Sequence, residues 1–288
     1  MKKITSLILV IAIILVSGCT KNPTYGERIS QAIEKTTSWK NENLEASAGD
    51  SVYDWFAYGT GISGNPDSEY VVSAEKIFSD DMIITDKERI AIAAKANGAD
   101  ISANGMLDSI VSDLKSKPLT ERMINHLIFG LMVLENQPIE NTLKEDLISE
   151  ILSRQIDSGA LYMINKNTSE TDITAMAVHA LSPYMEDEKV SKAVNLMIDY
   201  LSTQVTSECS VKNWGEASCE TTAQTIIAVC SVGANPMTDS RFTKGEKNLI
   251  DGLLSYQQSN GGFAHTSGGT SDTYATAQAF YSLCFAFA

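Results

Sequence analysis

The sequence predicts an all-α protein in which six inner helices are ringed by six outer ones. Three observations lead there. The first is a recurring order of residues, in which an amphipathic helix ends, a turn follows, and a second helix opens on an acid. Leu152-Ser153-Arg154-Gln155 runs through Gly159-Ala160-Leu161 to Asp172-Ile173-Thr174-Ala175-Met176-Ala177, and Leu201-Ser202-Thr203-Gln204 runs through Asn213-Trp214-Gly215 to Glu220-Thr221-Thr222-Ala223-Gln224. The third copy runs from Gln257 and Gln258 through Gly261-Gly262-Phe263 to Asp272 and Gln278. The acids at 172, 220 and 272 stand 48 and 52 residues apart, a period that belongs to repeat architectures. The second observation is that amphipathic segments alternate with segments that are apolar all round, the marks of outer and buried helices respectively. The third is that no stretch sustains two-residue alternation, so almost no sheet is expected.

Taken in order, Tyr25 to Trp39 carries Ile29, Ala32, Ile33 and Thr36 at helical spacing and reads as an outer helix. Asp50 to Tyr58 is far more apolar and is stopped by Gly59 and Gly61. Tyr70 to Ser79 is amphipathic, and Thr85 to Ala94 opens with a polar first turn and ends at Asn97-Gly98. Gly105 to Lys117 is amphipathic; Leu119 to Leu134 is apolar apart from Glu121, Arg122, Asn125 and His126. Leu143–Gln155 then pairs with Asp172–Leu181, Val190–Gln204 with Glu220–Val232, and Glu246–Gln258 with Asp272–Phe287. The break at Gly261-Gly262 is firm, because each glycine costs a helix about 1 kcal/mol relative to alanine. Inner helices that run parallel bring their starts to one rim. Asp54, Glu88, Glu121, Asp172, Glu220 and Asp272 are therefore expected to pool around a mouth, although helix capping alone would also explain acids there.

With 288 residues, 43% of them hydrophobic and only 6 prolines, the chain can bury a large core. Lys2 and Lys3 precede the apolar run Ile4 to Val16, which is short for a membrane span and has the layout of a signal peptide. The run ends in Leu15-Val16-Ser17-Gly18-Cys19, which resembles the bacterial lipobox. That resemblance implies removal of residues 1–18, a diacylglycerol thioether on Cys19, and a short lipidated tether over 19–24. One domain, 25–288, would then sit outside the cytoplasm on a membrane lipid anchor. Loss of Lys2 and Lys3 takes the balance from −14 to −16, which disfavours nucleic acid as a partner. Cys209 and Cys219 flank the Trp214-Gly215 loop and outside the cytoplasm are either bridged or free. Cys230 and Cys284 each follow the glutamine of a Thr-Ala-Gln triplet by six residues, and read as equivalent, buried, small apolar side chains.

The stretches Gln257–Phe263 and Asp272–Gln278 resemble the prenyltransferase and squalene-cyclase repeat, over about residues 50–287. The resemblance implies an α6/α6 toroid in a single domain. It is closest to non-catalytic bacterial surface members, which are similar to the α-domain of the cobalamin carriers intrinsic factor and transcobalamin. Protein prenyltransferases hold zinc partly through a histidine three residues after an acid at the start of the last inner helix; here that position is Ala275, after Asp272. Only His126, His179 and His265 exist to replace it. Cyclases carry an Asp-x-Asp-Asp-like acidic cluster, whereas Asp80-Asp81 reads as a solvated helix end. No catalytic residue, no metal and no particular cofactor is therefore assigned. Cobalamin carriers close their site with a second, β-rich domain, so a second protein would have to complete such a site here.

The reading that follows is a non-catalytic small-molecule binder, for a cobalamin-like or other apolar ligand. Its candidate contacts are Trp55, Tyr58, Asp172, Trp214, Glu220, His265, Asp272 and Tyr274, with Tyr162 nearby. Phe263 and Leu161 read as packing staples and His179 as a core histidine. Two alternatives remain: a glycosidase or polysaccharide lyase using carboxylates such as Glu216, Glu220 and Asp272, and a structural surface that docks another protein. A hydrolase requires two carboxylates in one pocket, one with a raised pKa. A binder requires an aromatic-lined cavity, and a scaffold a filled centre.

Overall fold

The computed structural model describes residues 23–287. The signal segment, Cys19 and most of the tether lie outside the described residues. Twelve α-helices alternate around a ring among the described residues. The outer set is α1 (Tyr25–Asn43), α3 (Ser68–Ile77), α5 (Met106–Lys115), α7 (Asn141–Ser153), α9 (Glu188–Thr203) and α11 (Leu249–Leu254). The inner set is α2 (Ser51–Ile62), α4 (Ile84–Ala96), α6 (Ile124–Leu134), α8 (Thr171–Leu181), α10 (Cys219–Ser231) and α12 (Thr273–Phe287). Each inner helix packs on the next, and α12 packs back on α2 to close the circle. This is the expected α6/α6 toroid. No described helix is long and apolar enough to cross a membrane.

Sequence pattern explains the layering. Helix α9 buries Val190, Ala193, Val194, Met197, Ile198 and Leu201, one stripe at helical spacing, and turns its charges to solvent. Helix α10 instead buries every residue from Thr221 to Val229, which leaves it no solvent face. Aspartates fix several starts: Asp50 Oδ1 accepts the amides of Val52 and Tyr53, and Asp187 Oδ1 those of Lys189 and Val190. The ring is closed by a small core of its own, with Phe56 5.0 Å from Phe280 between Trp39 and Cys284. Helix α11 is shorter than expected at both ends: the Asn248 side chain caps the amides of Ile250 and Asp251 and begins the helix there, and it stops at Leu254, before Gln257 bridges to Phe263.

Three joints between outer and inner helices share one construction. Leu161 bridges Gln155 and Glu170; Val211 bridges Val205 and Ser218; Phe263 bridges Gln257 and Asp272. In two joints the bridges extend into hairpins, β1 (Val211–Asn213) with β2 (Glu216–Ser218), and β3 (Phe263–Ala264) with β4 (Ser271–Asp272). A threonine locks each joint. Its hydroxyl accepts the central amide, at 2.9 Å for Leu161 to Thr174, 3.0 Å for Val211 to Thr222 and 2.9 Å for Phe263 to Thr276. It donates to the carbonyl four residues earlier, that of Glu170, Ser218 or Asp272, so both capacities of the hydroxyl are used. This register corrects the acid spacing. Asp272 is equivalent to Glu170 and Ser218, and the true counterpart of Asp172 and Glu220 is Tyr274.

Each joint also presses its main chain on the next outer helix. Gly159 (φ 91°) and Gly261 (φ 93°) take the left-handed region, and a Cβ on either would lie 2.3 Å from the carbonyl oxygen of Leu196 or Lys35. The middle joint has Cys209 at this position (φ 60°), and there α11 makes the room by presenting Gly252. Of the two states open to Cys209 and Cys219, the structure has the unbridged one. Both thiols are free: Cys219 Sγ points at the Ala275 carbonyl on α12, 3.7 Å away, whereas Cys209 lies against α11 and the main chain of Lys244.

Two of the acids expected at the mouth are turned between helices instead. Asp54 is fully buried and receives hydrogen bonds from Tyr70 Oη (2.8 Å), the Gly49 amide (2.9 Å) and Arg89 Nε (2.9 Å). Glu88 is also fully buried, beside Gly130 and Leu114, and neither of its oxygens has a hydrogen-bond partner. Burial drives its carboxyl well above the usual 4.5, with the Arg122 charge opposing and Asp113 assisting. A carboxyl held more tightly protonated in the folded chain stabilises the fold below about pH 4.5, and that contribution is lost as pH rises through the folded value. Glu88→Gln is therefore expected to raise the melting temperature by several degrees at pH 8 and to leave it nearly unchanged at pH 4. Circular-dichroism melts check this, and an equal effect at the two pH values would contradict it.

Candidate functional site

The inner helices do not fill the axis. At their N-terminal end a cavity of about 320 Å³ opens, reached from five of the six inner helices by residues three apart: Trp55 and Tyr58, Phe129 and Met132, Met176 and His179, Gln224 and Ile227, Gln278 and Tyr281. Counted from the locking threonines, these are the second and fifth residues onward in α8, α10 and α12. Helix α4 lends no lining residue, because Trp55 and Phe129 meet in front of it with ring centroids 5.6 Å apart.

Aromatic rings form the floor. Trp55 stacks on Tyr281 at 5.5 Å and meets Tyr58 edge-on at 5.9 Å; Tyr58 meets Tyr281 at 5.7 Å. Below them Tyr58 Oη lies 3.1 Å from His179 Nε2, and His179 Nδ1 lies 2.7 Å from Ser231 Oγ. Ser231 already donates to the Ile227 carbonyl, so it accepts from Nδ1–H, which leaves Nε2 to accept from Tyr58. Burial, assisted by the Lys95 charge, takes His179 down to about 4, so the imidazole is neutral. Tyr58, Met132 and His179 also face a second space of about 310 Å³ at the C-terminal end, and so divide the axis in two.

The rim is acidic. Asp172 accepts a long 3.4 Å hydrogen bond from Asn213 Nδ2 through Oδ2, and its Oδ1 is shut away from solvent with no partner. Burial raises the Asp172 pKa, with Thr221, His265 and Asn213 opposing. Glu170 is raised by burial and by the charge of Asp172. Trp214, 74% exposed, overhangs the opening from the turn of the β1–β2 hairpin, where Trp214 (φ 50°) and Gly215 (φ 90°) both take positive φ. No lysine or arginine is among the described residues lining the cavity.

Of the eight candidates, Trp55, Tyr58, Asp172 and Trp214 line this cavity. Glu220 and His265 pair with each other outside the lining set, His265 Nδ1 lying 2.8 Å from Glu220 Oε2, and burial raises the Glu220 carboxyl. Asp272 is spent on its own helix, accepting the Ala275 amide at 2.8 Å. Tyr274, 49% exposed, bonds Ser51 across the α12–α2 seam. Tyr162 borders a separate surface groove with Glu121, Leu161 and Phe263 are fully buried, and Glu216 is exposed on the hairpin. Tyr281, Gln224, Gln278, Met176 and Glu170 were not singled out from sequence. The threonine register would have located the first four. Among the described residues no three His, Cys, Asp or Glu side chains gather to hold a metal ion.

No protein-family model and no curated protein matches the chain. Solved structures do. The type II terpene cyclase MstE from Scytonema superposes with a TM-score of 0.63 at 12% identity, covering 89% of this chain and 98% of that one. The polysaccharide lyase BACCELL_00875 gives 0.64 at 12%, covering 91% and 97%. An unsaturated glucuronyl hydrolase from Streptococcus agalactiae gives 0.61 at 9%, covering 93% of each. Identities this low speak to architecture alone, and the chain has the α/α-toroid fold that these cyclase, lyase and hydrolase structures share.

Proposed function

We propose that the protein binds a small, largely apolar molecule in the axial cavity above Trp55, and that a lipid on Cys19 holds it at a membrane outside the cytoplasm. The observation that carries the binding reading is the open, aromatic-floored centre of the ring, since a scaffold would have no reason to leave it empty. The volume, about 320 Å³, lies at the lower end of ordinary ligand pockets. A corrinoid would therefore have to rest on the rim rather than enter, and would need a second protein to cover it. The anchor rests on the lipobox-like Leu15-Val16-Ser17-Gly18-Cys19.

A hydrolase or lyase is the second reading, favoured by one observation: Glu170 and Asp172 line the same cavity and both are pushed upward by burial. The lack of lysine and arginine among the described lining residues weighs against uronic-acid substrates, whose carboxylates would find no counter-charge there. A thermal-shift screen with isoprenoids, haem, corrinoids and small aromatic compounds tests the binding reading. A ligand present at 100 times its Kd is expected to add about 2.7 kcal/mol, several degrees in melting temperature. A screen in which nothing shifts would count against binding, and sugar turnover lost in Asp172→Asn would favour the second reading.

A further inference from the structure

We propose that the ligand of the axial cavity is an organic cation, a substituted or quaternary ammonium compound; this rests on the binding reading above and names its chemical class. Three features of the site converge on a positive charge. The floor is lined by the rings of Trp55, Tyr58 and Tyr281, with centroids within 6 Å of one another, and by Trp214 at the opening, and aromatic rings attract a cation. Two carboxyl groups, Glu170 and Asp172, stand in the same wall, and the hydrogen bond that Asp172 accepts there from Asn213 is long, at 3.4 Å. No positive charge in the lining answers them, since it contains neither lysine nor arginine among the described residues, and His179 is neutral and engaged on both nitrogens.

A neutral apolar ligand would desolvate those carboxyl groups without supplying a counter-charge, and an anion would be repelled by them. An ammonium group with alkyl or aryl substituents satisfies both halves of the site. Its charge lies between the rings and the acids, and its carbon substituents cover Met176 and Ile227. The surrounding protein, with 36 acidic against 22 basic residues, favours the same sign of ligand.

Isothermal titration calorimetry on the full chain with 3-hydroxyphenyltrimethylammonium and its uncharged isostere 3-tert-butylphenol tests the charge directly, because the two have the same shape. The cation is expected to bind at least tenfold more tightly. Asp172→Asn is expected to weaken the cation at least tenfold more than the isostere, and Glu170→Gln gives a second reading should the first variant fold poorly. Equal affinity for the two probes overturns the cation proposal while leaving the cavity a binding site. Binding of neither probe also overturns it, and the broader screen then decides separately whether the cavity binds anything.

Discussion

Replacing Gly252 with alanine is expected to cost more than about 4 kcal/mol of stability, enough to leave much of the chain unfolded at 37 °C. The added Cβ would stand 2.0 Å from the Cys209 carbonyl oxygen, 2.4 Å from its carbon and 2.8 Å from the Ser210 nitrogen. All three are main-chain atoms, so no side chain can swing away. Helix α11 cannot retreat either, because Leu249, Ile250 and Leu253 are fully buried and Asp251 holds Arg28 at 2.7 Å and Tyr25 at 2.9 Å on α1. Cys209→Gly in the same chain should not rescue the variant, since the obstructing carbonyl remains. Urea denaturation measures the effect, and a loss under about 1 kcal/mol would mean that the joint yields more easily than close packing allows.

The second large effect concerns Arg89→Ala, expected to cost about 3–5 kcal/mol because it strands a buried charge. Asp54 is fully buried, and Arg89 is the one cation paired with it among the described residues, also bound to Asp86 at 2.8 Å. Burial already raises the Asp54 pKa, with Arg89, Tyr70 and Gly49 opposing, so removing the guanidinium raises it further. A neutral Asp54 needs no counter-charge, and Tyr70 and the Gly49 amide remain as its hydrogen-bond partners. The deficit of the variant should shrink as the pH falls, and Asp54→Asn combined with Arg89→Ala should lose less than Arg89→Ala alone. A double-mutant cycle in urea resolves the coupling; additive losses would contradict it.

The ring itself was legible in the chain because burial writes itself as periodicity. The apolar run Leu119–Leu134 reads as an inner helix and is one from Ile124 onward, whereas Gly261-Gly262 lies in the joint beyond α11, which has already ended at Leu254. The rim was less legible because a helix turns about 100° per residue, so an acid in the first turn has no fixed direction. Trp55 looks down the axis while Asp54, one residue earlier, looks toward Tyr70 and Arg89. The spacing of acids also misassigned Asp272, because the register is set by the hydroxyl bond of Thr276 and not by charge. Once Thr174, Thr222 and Thr276 are aligned, Met176, Gln224 and Gln278 fall on the axis together, as do His179, Ile227 and Tyr281. The free state of Cys209 and Cys219 was not readable, because it depends on which neighbouring helix each thiol faces, outer α11 for Cys209 and inner α12 for Cys219.

The axial cavity is the centre of this account, and native mass spectrometry of the protein purified from its own host tests it most directly when the chain is compared with Met176→Trp, which fills the cavity with an indole. The expected result is a small-molecule adduct on the unaltered protein that is missing from the filled variant. The same adduct on both proteins, or none on either, would contradict it.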